Sequence, residues 1–430
     1  DLEMRFWEGD YRPELRELTE QETARVGLRH FFSPSTTLLL SYIHQDKTIN
    51  FSDGFDFLAG TLETELDSED SSDSFEGQFL WRAGGAPGAG IGGFNLAAGA
   101  GHFEIENVST LYALIDFPPP PIGPGPIPDF QEFESKTTHD NVYAYGNITL
   151  PADLTFTIGV SADQFEEEGG IGEKDQVNPK LGLTWRLGSG TTLRAAGFQT
   201  LKRTLVTDQT LEPTQVAGFN QFYDDPSGTT AKVYGAAIDQ KIGNSVFIGA
   251  QYTVRDMEIP AFFFDFDTFE LLLIDADQDE NLGHAYLFAT PHRWWSLSAE
   301  YDYEKIEHDP ILQLGFEEVT THRVPLGIQF IHPSGFTASV KGTYVDQDGS
   351  FEVRQFPFGF EPGQTDFWVL DAALRYRLPK RYGFISIGVN NATDEEFSYL
   401  ATESILPSNA RNLWLRPGRV AYARISLAFP

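Results

Sequence analysis

The sequence predicts an all-β fold, a transmembrane antiparallel up-and-down β-barrel of about 18 strands with short periplasmic turns and long extracellular loops. Three patterns lead there: apolar and polar residues alternate with a period of two, short and long connections take turns, and the last strand ends on an aromatic residue. That strand places its apolar side chains on one face, which we interpret as a C-terminal barrel-assembly signal: Ala421, Ala423, Ile425, Leu427 and Phe429. The same patterns are compatible with roughly 16 to 22 strands.

Two-residue alternation marks the individual strands. From Leu154 to Asp163, apolar residues at even positions alternate with Thr, Gly, Ser and Asp at odd positions. Segments 246–255, 297–304 and 336–344 repeat the pattern. Each segment is about ten residues long, which is enough for a tilted strand to cross a bilayer.

The connections between these strands come in two sizes that alternate along the chain. Short connections with turn residues lie at 33–35, 84–88, 151–153, 188–190, 243–244, 291–293, 332–334 and 379–382. Between them lie long segments at about 51–72, 109–137, 167–176, 201–229, 257–281, 307–318, 349–364 and 396–416. This alternation predicts short turns on the periplasmic side and long loops outside the cell.

The number of strands follows from the number of short turns. Eight short turns join sixteen strands, and the closing strand adds one. Leu2, Met4 and Phe6 alternate with polar or charged neighbours and supply a first strand, so that the total is an even number, about 18. Pro325 falls inside a predicted strand, and because proline cannot donate to the ladder we interpret it as a bulge or a late strand start.

Composition excludes several classes of function. The chain has no cysteine, so it has neither a disulfide framework nor a thiol nucleophile. Its formal charge of −33 excludes general nucleic-acid binding, which needs a basic surface. The acidic charge either serves solubility or forms an acidic lumen or mouth that favours cations. No serine lies in a nucleophile elbow and no histidine pair has metal-ligand spacing, so we predict no enzyme activity, no cofactor and no metal site.

Several stretches resemble one known family. Residues 384–397, Phe-Ile-Ser-Ile-Gly-Val-Asn-Asn-Ala-Thr-Asp-Glu-Glu-Phe, and Arg416-Pro-Gly-Arg419 before the last strand are similar to the end of TonB-dependent receptor barrels. Residues 192–198, Thr-Leu-Arg-Ala-Ala-Gly-Phe, are similar to another strand of that family. Residues 25–34 and 211–220 resemble barrels that follow tetratricopeptide repeats.

The resemblance implies a bacterial outer-membrane protein that contacts outer-membrane lipid and transports a solute. We expect one barrel domain over residues 1–430, with any plug or periplasmic repeat domain preceding residue 1. It further implies a periplasmic energising or repeat-domain partner and an extracellular partner for the loops. TonB-dependent receptors have about 22 strands and an N-terminal plug; this sequence indicates fewer strands and contains no plug-like stretch.

Strand phase predicts which charged residues face the lumen. The acidic candidates are Glu76, Asp163, Asp239, Glu300, Asp302 and Glu304, and the basic ones are Arg194, Arg323, Arg375 and Arg377. The mixture of signs leaves two interpretations, a ladder that guides a solute or facing rows that pair and rigidify the wall.

Three predicted loops have unusual compositions. Residues 51–73 carry eight carboxylates and no lysine or arginine, so they either bind calcium or form a solvated acidic loop. Residues 115–129 are proline-rich and favour polyproline II, as a stiff functional element or as an ordinary surface loop. Residues 261–275 are rich in Phe and Leu, which favours a hairpin that makes contacts.

These features support three classes of function. The first is an outer-membrane transport barrel, of receptor or channel type, that moves a hydrophilic solute or polymer. The second is a structural or adhesive anchor whose loops bind other cell-surface or extracellular components. The third is an outer-membrane enzyme such as a lipase.

Overall fold

The computed structural model describes residues 16–57, 60–84, 92–116, 125–170, 172–203, 205–207, 209–265, 270–312, 315–353, 359–397 and 418–428. It contains nineteen strands: β1 (Arg16–Ser33), β2 (Thr36–Phe57), β3 (Gly60–Gly84), β4 (Gly93–Asp116), β5 (Ile127–Leu150), β6 (Leu154–Glu168), β7 (Gly172–Leu187), β8 (Thr191–Leu201), β9 (Gln215–Val216), β10 (Phe219–Asn220), β11 (Thr230–Ile242), β12 (Val246–Asp265), β13 (Glu270–His292), β14 (Trp295–His308), β15 (Phe316–Ile331), β16 (Phe336–Val353), β17 (Gly359–Arg377), β18 (Gly383–Asn390) and β19 (Val420–Leu427). No helix in this described part of the chain is both long enough and apolar enough to cross a membrane.

Seventeen strands form one antiparallel sheet, and β9 and β10 form a separate two-residue hairpin. Each strand of the large sheet pairs with the next one along the chain, and β8 pairs with β11 across the segment that contains the small hairpin. Every pairing is antiparallel. The predicted fold class is therefore confirmed.

The two faces of the sheet differ in chemistry. On β3, Phe75 is 53% exposed while its neighbour Glu76 is 3% exposed. On β6, Ile158 is 53% exposed while Asp163 is buried. We call the face with Glu76 and Asp163 the inner face and the face with the exposed apolar residues the outer face. Exposed apolar residues on the outer face are expected where a strand meets lipid.

The predicted short turns within the described residues are present, whereas residues 85–88 of the turn at 84–88 lie outside them, and most of the predicted long loops contain strands. β2 has 22 residues and ends at Phe57, and β3 has 25 and begins at Gly60, so both extend into the segment 51–72 that the sequence predicts to be a loop. β12 and β13 likewise extend into the Phe-rich segment 261–275, as far as Asp265 and from Glu270. The expected strand length of about ten residues was wrong because it counts only the membrane crossing, and these hairpins extend beyond it.

The interpretation of Pro325 as a bulge or a late strand start is also wrong. Pro325 lies inside β15 and pairs with Thr343 of β16. On the other side, the ladder with β14 stops at Ala299 and Leu326 and resumes at Asp302 and Arg323 in the same register. Because proline lacks an N–H group, the ladder loses pairs here without a shift in register.

The two end strands of the described sheet run in the same direction. β1 and β19 both run from the end with long connections to the end with short turns, so antiparallel closure between them needs one strand of opposite direction. The predicted first strand over residues 2–7 lies outside the described residues and stays a prediction. So do Phe429, most of the predicted loop 396–416 and residues 117–124 of the proline-rich segment.

The closing strand keeps the predicted phase as far as it is described. Ile425 pairs with Ile385 and Ala423 pairs with Ile387, so these apolar side chains share the outer face. Arg424 pairs with Ser386, a residue of the inner face that is 6% exposed.

Candidate functional site

The segment between β8 and β11, residues 202–229, folds back against the inner face; we call it the inner loop. Its two ends pair with each other, because the Lys202 N–H donates to the Thr229 carbonyl at 2.7 Å and the Gly228 N–H donates to the Lys202 carbonyl at 3.0 Å. Its tip is the β9–β10 hairpin, which turns at Ala217 and Gly218 with φ of 49° and 89°. Two successive positive φ angles indicate the tight turn that suits a hairpin.

The inner loop contacts strands far apart in the sheet. Gln209 accepts a hydrogen bond from Arg25 of β1 at 2.6 Å, Thr210 donates to Glu76 of β3 at 2.6 Å, and Asp225 forms an ion pair with Arg255 of β12 at 2.5 Å. A segment of fewer than thirty residues reaches strands from β1 to β12 only from the concave side of the sheet. The inner loop therefore lies inside the barrel.

A buried guanidinium joins the loop to the wall. Arg203 has a side chain that is 1% exposed, and it forms ion pairs with Glu212 of the loop at 3.0 Å and with Asp163 of β6 at 3.7 Å. Phenyl rings flank it, since its Cζ lies 5.2 Å from the ring centroids of both Phe103 and Phe222. A charge this deeply buried persists only when opposite charges and hydrogen bonds satisfy it.

The two carboxylates on the wall, those of Glu76 and Asp163, each accept at least two hydrogen bonds. Glu76 Oε2 accepts from the Thr210 hydroxyl and from the Leu211 N–H at 2.8 Å. Asp163 accepts from Asn178 Nδ2 at 2.6 Å and from the Ser161 hydroxyl at 2.9 Å, and it contacts His139 Nε2 at 3.0 Å. Asp163 is thus held mainly by other residues of the wall, whereas Glu76 is held by the inner loop.

Glu212 is the acidic centre of the loop. Its side chain accepts hydrogen bonds from the Tyr145 hydroxyl at 2.5 Å and from Asn141 Nδ2 at 2.9 Å, both on β5. Gln221 completes the group, because its Oε1 lies 3.2 Å from the Tyr145 hydroxyl oxygen and its Nε2 donates to the Pro213 carbonyl at 2.6 Å. The loop is therefore positioned by directional polar contacts as well as by packing.

Apolar packing seats the hairpin tip. Val216 and Phe219 are 0% and 1% exposed and belong to a buried cluster with Tyr143, Phe198 and Val233 of the wall. Glycine makes room for both: an added Cβ on Gly235 would lie 2.3 Å from the Phe219 ring, and one on Gly182 would lie 3.0 Å from Val216 Cγ1 and 2.8 Å from the Ala217 Cβ. The wall of β7 and β11 is shaped for this hairpin.

A second ionic contact holds the far part of the loop. Arg255 of β12 donates to Asp225 of the loop and to Glu280 of β13, each at 2.5 Å. Its guanidinium also lies 3.7 Å from the ring centroid of Tyr223. Burial in this contact raises the pKa of the Tyr223 hydroxyl, so the ring stays neutral.

The fit at Gly235 gives a first prediction. We expect Gly235→Ala to displace the hairpin, because its Cβ would overlap the Phe219 ring, at a cost of about 1–3 kcal/mol in docking free energy. Since the chain has no cysteine, a single cysteine at Ala217 reports hairpin exposure through its rate of maleimide labelling. Gly197→Ala is the control, because its Cβ would lie 3.4 Å from Tyr234 on the outer face. Equal labelling rates in the two variants would contradict the proposed seat.

The structure distributes the predicted lumen residues over three places. Glu76, Asp163, Arg194 and Asp239 contact the inner loop or neighbour it; Arg194 forms an ion pair with Asp239 at 3.2 Å and donates to the Gly218 carbonyl. A second group on β14 and β15 contains Asp302 and Arg323, which pair at 3.0 Å, with Glu300 and Glu304 at alternate positions on the same strand face. Arg375 and Arg377 lie apart, at the short-turn end of β17.

The sequence reasoning missed the loop side of this site. The sequence predicts an extracellular loop around Arg203, Glu212 and Asp225, and its patterns do not distinguish His139, Asn141 and Tyr145 from other polar strand residues. The sequence contains two signals: an arginine two residues after the end of β8, and a Gly after Ala217 that allows a tight turn within the predicted loop. Among the described residues, no group of three or more His, Asp or Glu has the geometry to hold a metal ion.

The family model described as TonB dependent receptor-like, beta-barrel, matches residues 4–236. This match covers more than half of the chain. The chain belongs to this family. A search of curated protein sequences finds no significant match.

Solved structures with the same fold include other TonB-dependent receptor barrels. The pyoverdine outer membrane receptor FpvA from Pseudomonas aeruginosa PAO1 aligns with a TM-score of 0.67 and 12% identity over 90% of this chain and 60% of its own. The ferric citrate transporter FecA aligns with a TM-score of 0.67 and 14% identity over 97% of this chain and 62% of its own. The complex of FpvAI with pyocin S2 aligns with a TM-score of 0.64 and 15% identity over 87% of this chain and 53% of its own.

The chain thus spans 53 to 62% of the length of these three TonB-dependent receptor structures. The family places it in the outer membrane of Gram-negative bacteria, as the closing strand predicts. The relatives are receptors and transporters by description.

Proposed function

We propose that this chain is the membrane-spanning part of an outer-membrane transport system that moves a hydrophilic solute or polymer, with the inner loop as its gate. The observation that carries the proposal is the buried network of Arg203, Asp163 and Glu212, which holds a loop inside the barrel by charge. Family membership supports a transport barrel, and the loop supplies the element that opens or closes it.

The attachment of the loop suits a movable element. Its ends pair with each other at Lys202, Gly228 and Thr229, so residues 203–227 can leave the wall without breaking the β8–β11 ladder. Buried ion pairs add little net stability, because the charges regain water when they separate. A loop held by such contacts is docked securely in one state and released at moderate cost in the other.

A disulfide between loop and wall tests the gate. We expect Gly182→Cys with Ala217→Cys to lock the hairpin, because the two Cβ positions lie 2.8 Å apart and a disulfide needs a shift of only about 1 Å. In planar bilayers, the oxidised protein should show fewer or smaller conductance steps than the same protein after reduction with dithiothreitol. The chain has no other cysteine, so no competing disulfide forms.

Each single-cysteine variant is the matched control, since it carries the same crowding without the cross-link. Dithiothreitol should leave the conductance of both single variants unchanged. Identical conductance of the oxidised and reduced double variant, with the disulfide verified by mass spectrometry, would contradict a gating loop.

A second function, a structural or adhesive anchor, is favoured by the hairpins that extend past the membrane. The tip of β4–β5 exposes Phe130 and Phe133, which are 65% and 48% exposed, and β12 exposes Phe262 at 53%. Apolar side chains in water beside acidic strands suit contact with another surface component. An anchor gives no conductance steps even when the inner loop is removed.

We also propose partners on both sides of the membrane. The extended hairpins would bind an extracellular partner, and a periplasmic energising or repeat-domain partner would act at the short-turn end, while lipid covers the outer face. One barrel domain accounts for residues 1–430, with any plug or repeat domain preceding residue 1; the 53 to 62% coverage of the relatives supports this division. The periplasmic energising partner would supply the force that moves the gate.

A further inference from the structure

Charge on the inner face is segregated toward the short-turn end. The relevant positions are the five residues of each strand that lie nearest a short turn, or nearest the end of β19. Alternation along the strand places about half of them on the inner face. Seven of these described positions are unpaired cations, which we call the basic rim: Arg29, Arg82, Arg186, Lys241, Arg375, Arg377 and Arg424. The rest of the chain is so acidic that the net charge is −33.

The basic rim is exposed and no described carboxylate neutralises it. All seven side chains belong to exposed residues, and none forms an ion pair with another described residue. The one carboxylate in the same window is Asp239, which is already paired with Arg194 at 3.2 Å and accepts from the Tyr286 hydroxyl at 2.8 Å. Deeper on the same face, Asp371 lies opposite Lys341 and accepts the Asn391 N–H at 2.9 Å, and Asp302 binds Arg323.

Phenyl rings position several of these cations. Arg375 Cζ lies 4.4 Å and Arg424 Cζ 5.8 Å from the ring centroid of Phe384, which lies between them in the sheet. Arg29 lies 4.4 Å from the Phe31 centroid, and Lys241 Nζ lies 5.8 Å from that of Phe247. A ring face orients a cation without cancelling its charge, so these side chains remain available to a soluble anion.

The rim is distributed around the barrel and is not a patch on one side. Its members come from β1, β3, β7, β11, β17 and β19. Rings of arginine and lysine select anions in membrane pores, because the charges act together across the narrow aqueous path. Fixed charge in a low-dielectric cleft raises the local concentration of counter-ions by roughly tenfold or more.

We propose that the basic rim is an anion-binding filter at the periplasmic end of the transport path, and that the solute is a hydrophilic anion with more than one carboxylate or phosphate group. The inference rests on the proposed transport function. It opposes the acidic lumen that the net charge suggested, because the carboxylates lie mainly on the extended hairpins and the cations at the rim.

The test uses a variant whose path is free of the inner loop, with Asn-Gly in place of residues 203–227. In a planar bilayer with a KCl gradient at low salt, its reversal potential should show Cl⁻ permeating faster than K⁺, by a factor on the order of tenfold. The factor should fall toward one at 1 M salt, where the screening length is about 3 Å. Tripolyphosphate added at the short-turn side should block the current.

Charge removal at the rim should reduce this selectivity. Arg375→Gln, Arg377→Gln and Arg424→Gln together leave four of the seven cations and are expected to lower the Cl⁻/K⁺ ratio severalfold and to weaken the tripolyphosphate block by roughly tenfold. The control removes three cations near the long-connection end, Lys47→Gln, Lys136→Gln and Lys174→Gln, and should leave both values unchanged. Cation selectivity of the loop-free variant, or equal effects of the two triple variants, would overturn the filter. Absence of any conductance would instead contradict the transport function.

Discussion

Arg203→Met is expected to release the inner loop from the wall. The substitution keeps an unbranched, flexible stem but removes the guanidinium and with it the charge that Asp163 and Glu212 share. Leaving two buried carboxylates without their cation costs about 3–5 kcal/mol when one partner of a buried ion pair is removed. The loop avoids much of that cost by undocking, because Glu212 then returns to water.

The measurement is again the labelling of a cysteine at Ala217. Since about 1.4 kcal/mol corresponds to a factor of ten in an equilibrium constant, the labelling rate should rise roughly a hundredfold or more. The free energy of unfolding of the whole barrel should change less, because the sheet pairings of β6 do not involve Arg203. The change is therefore expected in the gate and not in the wall.

Arg323→Met is the matched control. Arg323 also faces inward and pairs with Asp302 at 3.0 Å, but its side chain is 39% exposed and it does not contact the inner loop. An exposed pair of this kind contributes about 0–1 kcal/mol. The labelling rate of the cysteine at position 217 should equal that of the protein that retains Arg323. A similar rise in both variants would mean that charge loss loosens the barrel generally and that Arg203 is no anchor.

The fold was largely predictable because strand phase is a local property. Alternation at residues 154–163 puts Ile158 and Val160 on one face and Asp163 on the other, whatever the strand pairs with. The same argument places Asp302 and Arg323 on one face, and the register confirms that they are direct partners. Strand length was not predictable, because residues 51–73 are rich in carboxylates and carry little of the apolar alternation that marks a membrane strand.

The site was mostly unpredictable because its contacts join distant parts of the chain. Arg203 meets Asp163 forty residues earlier, Tyr145 meets Glu212 at a separation of 67, and Thr210 meets Glu76 at a separation of 134. No periodicity links such positions, and an arginine in a polar loop normally lies in water. The sequence does contain the glycines of β7 and β11. Their role, to leave space for the β9–β10 hairpin, can be recognised only from the structure.

Replacing residues 203–227 with Asn-Gly is expected to open the barrel. Lys202 and Gly228 then flank a two-residue turn, and Asn-Gly is the preferred sequence for the type I′ turn that joins antiparallel strands. The backbone pairing of Lys202 with Gly228 and Thr229 already has hairpin character, so the β8–β11 ladder can continue. Removal of the hairpin vacates the space between β7, β11 and β12, and single-channel conductance should increase severalfold over that of the intact chain.

We expect the deletion to perturb the structure of the barrel wall by less than Arg203→Met perturbs the docked position of the inner loop. It removes Arg203 and Glu212 together, so no loop charge stays buried, and water that enters the path can solvate Glu76. Asp163 keeps Asn178, Ser161 and His139 as partners. The heat-modified mobility of the barrel on gels should therefore be retained, which separates an opened pore from an unfolded one. A folded, loop-free barrel that conducts no better than the intact chain would show that the path is closed elsewhere and that the inner loop is not the gate.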